Sequence, residues 1–375
     1  MFVTNVVQSI WILILYSLMT VFMPAVVMHK RIAKRRLCEK FLICVVAGNF
    51  YIINVVFILQ FLHISNRFTL FCATFVAAFV YMILRNRTKS RQILIKIVDI
   101  MSRLARNTMG RRTFFSKCGN HIKSALKKLI IKIKNYLKCY GWETFLTICL
   151  CAVVCVIYGS NGIINYGYTA SDTPVHNYWI NAMSDNNVFV AGVYPHGFHC
   201  IIYYMHAVFG IDTYVLLRLF TVTSALYIHL ALFAFCKGVC RGAYSAYAAV
   251  FIFALNKDCI IRYTNNLPQE YGMIFILPTV YFIFEFFKHQ KMCPKKIKIK
   301  ETALIVQGEL AAEDLIYAAV SFSLTIAVHF YGTMIAGIFC IGIVFGFLIR
   351  IVQPRFMARI IAAFTLGVIL GVLPL

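Results

Sequence analysis

Long apolar runs separated by short polar links extend along the whole chain. The runs cover residues 9–28, 41–62, 68–84, 142–158, 213–235, 243–255, 271–287, 315–328, 335–349 and 360–375. A transmembrane helix needs roughly 20 apolar residues to cross a hydrocarbon core of about 30 Å. The pattern therefore predicts an all-α fold, a polytopic transmembrane helical bundle of about ten spans.

The overall composition agrees with this prediction. Hydrophobic residues make up 61% of the chain, charged residues 13%, and the mean hydropathy is +0.79. A soluble domain is nearer half apolar and a quarter charged. The first run, Val6–Met28, is long for a signal peptide and lacks a charged segment before it, so it is interpreted as a span. The cysteines form no CxxC pair, so neither a zinc motif nor a redox motif is inferred.

The basic residues lie mainly beside the spans and define the topology. The net charge is +24, and six Lys or Arg fall between His29 and Lys40. A second dense cluster covers Lys288–Lys300. Loops rich in Lys and Arg stay in the cytoplasm, so we expect both segments on the inner side.

A third basic segment, Arg85–Cys139, carries 16 Lys or Arg and one acid. Its last part places these apolar residues on one helical face: Ile122, Leu126, Leu129, Ile130, Ile133 and Leu137. The pattern predicts an amphipathic helix on an anionic leaflet, with anionic membrane lipids as partner of the Arg85–Lys138 segment. Nucleic acid is the alternative partner for such a stretch. We expect no nucleic-acid binding, because the basic residues lie beside membrane spans, where anionic lipids attract them.

These segments divide the chain into three predicted parts. Residues 1–84 form three N-terminal spans, residues 85–141 form the basic cytoplasmic segment, and residues 142–375 form a second transmembrane module. The last apolar run is still apolar where the sequence stops, so we expect this module to be incomplete at its C-terminus.

The stretch Asn161–Cys200 contains no Lys or Arg. The flanking basic segments place residues 159–212 outside. Within them Phe198–Phe209 is apolar but too short to cross, which predicts a helix lying in the interface or re-entering from outside. Pro174–Met183 fits a second such juxtamembrane helix, with Trp179 at headgroup depth.

Polar and titratable side chains from three outer loops converge on this side. The candidate site residues are Asp172, His176, His196, His199, Arg218, Arg262, Gln269, Glu270, His329 and Tyr331. Titratable groups gathered on one face of a bundle indicate a functional site. The simpler alternative is that loops are polar in any protein.

The order of elements from Trp142 to Leu375 resembles the GT-C class of integral-membrane glycosyltransferases. The resemblance rests on SDTPVH in the first outer loop, YPHGFH at the second short helix, and LLRLFTVTSAL at the next span. It implies a polyprenyl-phosphate sugar donor, a catalytic Asp in the first outer loop, inversion, and a site on the outer face of a bacterial-type plasma (inner) membrane. Some members of the class depend on a divalent metal. This chain lacks their second acidic pair, so the resemblance does not decide whether a divalent metal is used.

Sugar transfer from a lipid phosphate needs a base for the acceptor, a cation for the departing phosphate and a groove for the lipid tail. Asp172 is the natural base, although an Asp before Pro174 also suits a helix cap. Arg262 and Arg218 are candidates for phosphate binding, because a guanidinium matches phosphate oxygens. Arg218 could equally be an interfacial residue that snorkels.

The histidines have less specific roles. His176 lies four residues after Asp172 and could tune that carboxylate or bind substrate. His196 and His199 bracket the start of the second short helix. His329 and Tyr331 could line the same cavity or pack at the interface, and Gln269 and Glu270 lie beside Arg262. A zinc site from Asp172, His176, His196 and His199 is chemically conceivable, but no ligand-spacing motif supports it.

Two other classes of function stay open. A transporter or flippase for a lipid-linked or anionic solute would show charged residues at mid-membrane depth and broken helices in matched halves. A membrane scaffold would act through its basic segment. The chain has no GxSxG, Walker or HExxH motif, so hydrolase, ATPase and metalloprotease functions have no support.

Overall fold

We describe the protein from a computed structural model. The structure describes residues 2–85, 91–92, 95, 98–99, 102, 106, 111–168, 170–240, 242–289, 301–352 and 354–374. For residues 111–115, 117–118, 121–122, 125, 129, 301–310, 350 and 354–355, it describes the backbone alone. Most of residues 86–110, within the predicted basic segment Arg85–Cys139, and residues 290–300, within the predicted basic cluster Lys288–Lys300, therefore lie outside the described residues.

Helices make up the whole described fold, and no strand occurs in that part of the chain, which confirms the all-α prediction. The main helices are α1 (Phe2–Val27), α2 (Leu37–Phe61), α3 (Arg67–Arg85), α4 (Arg111–Ile164), α5 (Thr173–Ala182), α6 (Gly197–Phe209), α7 (Thr213–Val239), α8 (Ala243–Leu255), α9 (Lys257–Tyr263), α10 (Pro268–His289), α11 (Glu301–Val328), α12 (Phe330–Gly346) and α13 (Pro354–Val372). Short helical turns cover His29–Ile32, Met183–Asp185, Val188–Ala191 and Leu348–Ile351.

The number of spans is lower than the predicted ten. Among the described residues, seven helices are long and apolar enough to cross a membrane, or eight if α8 and α9, bent by 69°, count as one span. Two of the predicted spans, α12 and the apolar part of α13, form helices of only 10–17 residues. At 1.5 Å per residue, 17 residues reach about 25 Å, short of a core of about 30 Å.

The chain separates into two compact units, residues 1–74 with 152–375 and residues 75–151. Within the second unit, α4 has non-helical dihedral angles at Tyr140, where the predicted basic helix meets the predicted span. On the basic part, Leu126, Ile130, Ile133 and Leu137 are each about half exposed. The side chains of Ile122 and Leu129, on the same predicted face, lie outside the described residues. The exposed apolar side chains beside lysines fit an amphipathic helix.

Hydrogen bonds in the first unit join the end of α2 and the link after it to the turn after α5, and the loop before α10 to the start of α7. Gln60 donates to the Met183 carbonyl at 2.7 Å, and the Ser65 amide donates to Asn186 Oδ1 at 2.8 Å. Asn266 Nδ2 donates to the Leu217 carbonyl at 2.9 Å. The segments that carry the candidate site residues therefore meet at one end of the bundle, which we call the loop end.

At the other end, which we call the basic end, a buried ionic cluster joins the turn after α1 to α2, α10 and α11. Arg35 lies 2.5 Å from Asp314 and 3.0 Å from Glu313, and Arg36 lies 2.5 Å from Glu39. Glu285, Lys288 and His289 of α10 complete the cluster. Sequence patterns assigned the basic turn to topology alone and did not find its acidic partners.

The short helix α6 lies inside the protein rather than on a lipid surface. Ten of its residues are buried. His199 and Cys200 are 0% exposed. Its 13 residues reach about 20 Å, too short to cross the membrane. The prediction that this piece is no span agrees with the structure. Of the two predicted positions, a helix in the interface or one re-entering from outside, the burial of α6 against α2 and α7 favours the re-entrant one.

Gly197 sets how closely α6 approaches α11. A Cβ added there would lie 2.7 Å from the Ala327 carbonyl oxygen and 3.0 Å from Val328 Cγ2. We expect Gly197→Ala to lower the free energy of unfolding by about 1–3 kcal/mol, because the two backbones must separate. Thermal denaturation in detergent measures this. Gly337→Ala is the control, since nothing lies within 4 Å of its added Cβ, and equal midpoints for both variants would contradict the close-packing argument.

Candidate functional site

Asp172 stands at the N-cap position of α5, but its side chain does not cap the helix. It makes no cap hydrogen bond, and the residue is exposed. The carboxylate accepts a hydrogen bond from the Ser171 hydroxyl at Oδ1, at 3.1 Å. A helix-capping role would require the carboxylate to accept from the backbone N–H of the first turn. The carboxylate is therefore free to act on a ligand or on its neighbours.

His176 lies one turn further along α5 and is buried. Its Nδ1 is 2.9 Å from Nε2 of His199, which comes from α6. Burial lowers the pKa of His176 to about 4, although the charge of Asp172 opposes this shift. His176 is consequently neutral at physiological pH. The sequence prediction that these two α5 residues influence each other agrees with this electrostatic coupling.

Tyr194 lies at the centre of the aromatic packing around these histidines. Its ring centroid is 5.0 Å from Trp179, 5.7 Å from His199 and 6.2 Å from His329. Burial raises the pKa of Tyr194 to about 12, and the charges of Asp172 and Glu270 add to the rise. The phenol therefore lies within the field of two carboxylates from different loops. Sequence analysis missed Tyr194, although it opens the YPHGFH motif.

His199 and His196 are the most buried histidines of the group, at 0% and 1% exposure. Burial lowers the pKa of both, and for His199 the neighbouring rings of His176 and His196 add to the effect. Both residues belong to the entry of α6, which Gly197 holds against α11. The tight entry of α6 thus positions these two rings.

His329 is the N-cap residue of α12. It lies between the other histidines, through Tyr194, and Arg262. Its Nδ1 accepts a hydrogen bond from the Tyr331 amide at 3.1 Å, which caps the helix. Burial and the charge of Arg262 lower the pKa of His329. Nδ1 therefore carries no proton, and the ring is neutral.

Arg262 and Glu270 form an ion pair at the boundary of the site. Arg262 Nε lies 2.8 Å from Glu270 Oε1; the arginine side chain is 47% exposed and the glutamate side chain 2%. The guanidinium carbon also lies 5.9 Å from the centroid of Tyr331. Because the guanidinium is only partly engaged, its outward N–H groups are available to an anion.

A cavity of about 360 Å³ opens beside this pair. Its lining consists of Asp258, Cys259, Arg262, Tyr263, Gln269, Glu270, Met273, Ile276, Tyr331 and Ile335. The polar members come from α9 and from the first turn of α10. The apolar members follow at one-turn spacing along α10 and α12. The cavity is therefore polar at the loop end and apolar towards the interior of the bundle.

Arg218 is placed apart from this cavity and does not line it. Its guanidinium donates to Asn5 Oδ1 at 2.9 Å and to the Asn165 carbonyl at 3.5 Å, and it lies 4.5 Å from the ring centroid of Tyr166. Arg218 is 4% exposed. These contacts tie the start of α1 to the loop after α4.

The other predicted site residues form two groups: Asp172 and the four histidines surround Tyr194, and Arg262, Gln269, Glu270 and Tyr331 line the cavity. The charge of Arg262 acts on His329 and so connects the two groups.

The zinc alternative finds no support in the geometry. No group of three or more His, Cys, Asp or Glu among the described residues could hold a metal ion. His176 and His199 direct ring nitrogens at each other at 2.9 Å. That separation suits a hydrogen bond, and a zinc ion between two nitrogens at about 2.0–2.1 Å each would need more space.

The neutral histidines predict a loss of stability in acid. His176 has a folded-state pKa near 4, below the 6.5 of an unfolded chain, so the unfolded state binds more protons between these values. The stability that the folded protein gains because His176 is neutral is fully present above pH 6.5. It is lost as the pH falls towards 4, which lowers the free energy of unfolding by at most about 3 kcal/mol. Thermal denaturation at pH 7 and pH 4.5 measures it. His176→Gln should show a smaller fall than the wild type, and an equal fall would contradict the assignment.

Comparison with protein-family models, curated proteins and solved structures found no match to this chain.

Proposed function

We propose that this protein is a membrane glycosyltransferase, which moves a sugar from a polyprenyl-phosphate donor to a hydroxyl acceptor. The observation that carries the proposal is a half-polar, half-apolar cavity lined by Arg262 and Glu270, together with the exposed carboxylate of Asp172, whose charge acts on Tyr194 as that of Glu270 does. A lipid phosphate has the same division, an anionic head on a hydrocarbon tail. The resemblance of the outer loop to the GT-C class supports the same activity.

The residues have separate roles in the proposed reaction. The acceptor oxygen attacks the anomeric carbon, and the bond from that carbon to the phosphate oxygen breaks, with inversion. Asp172 takes the proton of the acceptor hydroxyl. The electron pair leaves with the polyprenyl phosphate, whose charge Arg262 stabilises. Met273, Ile276 and Ile335 provide the apolar walls for the first part of the lipid.

Membrane orientation is part of the proposal. We infer a plasma (inner) membrane with the loop end outside, because the turn before α2 and the end of α10 carry the Lys and Arg typical of the cytoplasmic side. The exposed lysines and isoleucines of the basic helix between Arg111 and Lys138 then face an anionic leaflet.

Arg262→Gln tests the phosphate assignment. A hydrogen bond to a charged group contributes about 1.5–3 kcal/mol, so we expect kcat/KM for the lipid-phosphate donor to fall roughly 10- to 100-fold. The assay follows transfer from a labelled polyprenyl-phosphate sugar in proteoliposomes. Lys257→Gln is the matched control, since it removes an exposed cation one helix turn away that does not line the cavity. Equal losses in the two variants would show a general charge effect instead.

A further inference from the structure

Glu270, in the first turn of α10, is the buried acid of the cavity beside Arg262. The residue is 2% exposed, and its side chain lines the cavity. The cavity volume of about 360 Å³ lies in the range of small-molecule sites, about 300–1,000 Å³. Oε1 is 2.8 Å from Arg262 Nε, but neither carboxylate oxygen makes a hydrogen bond within the described part of the chain. The carboxylate thus has a cation at one side and two unsatisfied acceptor oxygens.

The other buried acids among the described residues are satisfied by their neighbours. Glu39 and Glu285 accept hydrogen bonds from nearby side chains, and Asp314 accepts from two. All three belong to the ionic cluster of the basic end. Burial of a carboxylate without hydrogen bonds costs folding free energy. An acid that the fold leaves unsatisfied beside a cavity therefore indicates an acid that a ligand satisfies.

The chemistry of the pair defines the ligand. Carboxylate oxygens only accept hydrogen bonds, so the ligand group at Glu270 must be a donor. A second cation would meet the charge of Arg262 at close range, which favours a neutral donor such as a hydroxyl. The half-exposed guanidinium of Arg262 offers its outward N–H groups to an anion. A phosphate with hydroxyl groups beside it satisfies both residues at once.

We propose that Glu270 is the sugar-recognition residue of the cavity, whose carboxylate accepts hydrogen bonds from hydroxyl groups of the donor's sugar while Arg262 holds the adjoining phosphate. This rests on the proposed function, which supplies the polyprenyl-phosphate sugar as the ligand. In that donor the phosphate is bonded to the anomeric carbon of the sugar, so phosphate and hydroxyl groups are neighbours. The charges of Glu270 and Asp172 both act on Tyr194, so Glu270 lies on the side of the cavity nearer to the proposed base.

Ligand titrations of the protein in lipid nanodiscs test the assignment, with empty nanodiscs as the blank. One probe is farnesyl methyl phosphate, a phosphodiester without a sugar. The others are the farnesyl phosphodiesters of glucose, mannose and arabinose, which have the same charge. We expect at least one sugar to raise the affinity of the wild-type protein about tenfold or more over the methyl probe. If no sugar raises it, the inference is wrong.

Glu270→Met removes both acceptor oxygens at similar volume. The gain in affinity from the sugar should disappear. The methyl probe should bind at least as tightly as to the wild type, because Arg262 no longer shares its charge with a carboxylate. Glu270→Gln keeps one acceptor oxygen without the charge, so it should retain part of the gain. A full gain in Glu270→Met, or an equal loss of affinity for both kinds of probe, would overturn sugar recognition.

Glu285→Met is the matched control from the same helix. Glu285 is equally buried at 3% exposure, but it accepts from Lys288 and pairs with Arg36. Its replacement should lower the thermal midpoint and leave the sugar's gain intact. Glu270→Met should keep or raise the midpoint, because the fold loses an unsatisfied acid and water solvates Arg262. A fall as large as that of Glu285→Met, or failure to fold, would assign Glu270 to the fold and overturn the inference.

The same probes separate a failure of this inference from a failure of the proposed function. A sugar-dependent gain that needs Glu270, without transfer to any hydroxyl acceptor, would keep the sugar site and reject the glycosyltransferase. Sugar transfer by a protein whose gain survives in Glu270→Met would keep the glycosyltransferase and reject the role of Glu270.

Discussion

Replacement of Asp172 by Asn is expected to lower sugar transfer by roughly 10²–10⁴-fold, the usual contribution of a positioned general base. Asn has the size of Asp but cannot take a proton at neutral pH. The side chain caps no helix and is exposed, so the variant should fold as the wild type does. Turnover of a labelled polyprenyl-phosphate sugar in proteoliposomes measures the effect.

Asp185→Asn is the matched control for this experiment. Asp185 is an exposed acid in the same cation-free loop, at the end of the short turn after α5. Asp185 makes none of the contacts described around the histidines, so we expect the turnover of Asp185→Asn to be near that of the wild type. If Asp172→Asn retained full turnover, or if both variants lost it equally, Asp172 would not be the base.

Arg35→Met should have the largest effect on stability. Its side chain is 2% exposed and lies between Asp314, fully buried, and Glu313. Removal of Arg35 leaves the buried Asp314 with His289 as its remaining partner, and breaking a buried ion pair costs about 3–5 kcal/mol. We therefore expect a marked fall in the thermal midpoint in detergent, at a pH where both acids are ionised.

Two further variants make this second prediction specific. Arg31→Met removes the same group from an exposed position in the same turn, so its midpoint should change little. Arg35→Met combined with Asp314→Leu removes both charges and should recover much of the loss. A single Arg35 variant as stable as the wild type would contradict the role given to this cluster.

Hydropathy and charge were sufficient to predict the bundle and the grouping of its loops. The length of an apolar run indicates whether a segment can cross the membrane. The basic loops between spans indicate which helix ends lie on the same side of it. The predicted count was too high because runs such as Phe330–Gly346 are apolar but short. Hydropathy also could not tell that Phe198–Phe209 is buried in protein, because lipid-facing and protein-facing apolar residues have the same composition.

The candidate site was predictable where unusual residues stood out. Asp172 and His176 were evident in a loop without cations, and Arg262 with Glu270 in the opposite loop. Trp179 was interpreted as a headgroup anchor, and the structure adds a contact with Tyr194, whose ring centroid lies 5.0 Å away. An aromatic residue on an amphipathic helix can face either side, and sequence alone does not fix that rotation.

Long-range pairing was the least predictable feature. The partner of Arg35 comes 279 residues later in the chain, and the partner of Arg218 is Asn5, 213 residues earlier. Arg35 lies next to a span, where a basic residue is expected for topology alone, and Arg218 lies within the first turns of α7. Their buried partners become visible only when the helices are assembled.

A transporter or flippase is the main competing function. The polar residues buried at intermediate depth, Tyr16, Asn49 and Tyr271, form hydrogen bonds of 2.5–3.1 Å with one another and carry no charge. The buried charges of the described residues lie instead near the two ends of the bundle. This distribution favours a site at one surface over a charged path across the membrane.

The most direct test follows the glycosidic bond of a polyprenyl-phosphate sugar, labelled in both its sugar and its lipid, in proteoliposomes that contain the purified protein. If the protein is a glycosyltransferase, addition of a hydroxyl acceptor separates the two labels and releases polyprenyl phosphate, and Asp172→Asn abolishes the release. If the two labels instead cross the bilayer together with the bond intact, the protein moves its lipid and does not cleave it, and the account is wrong.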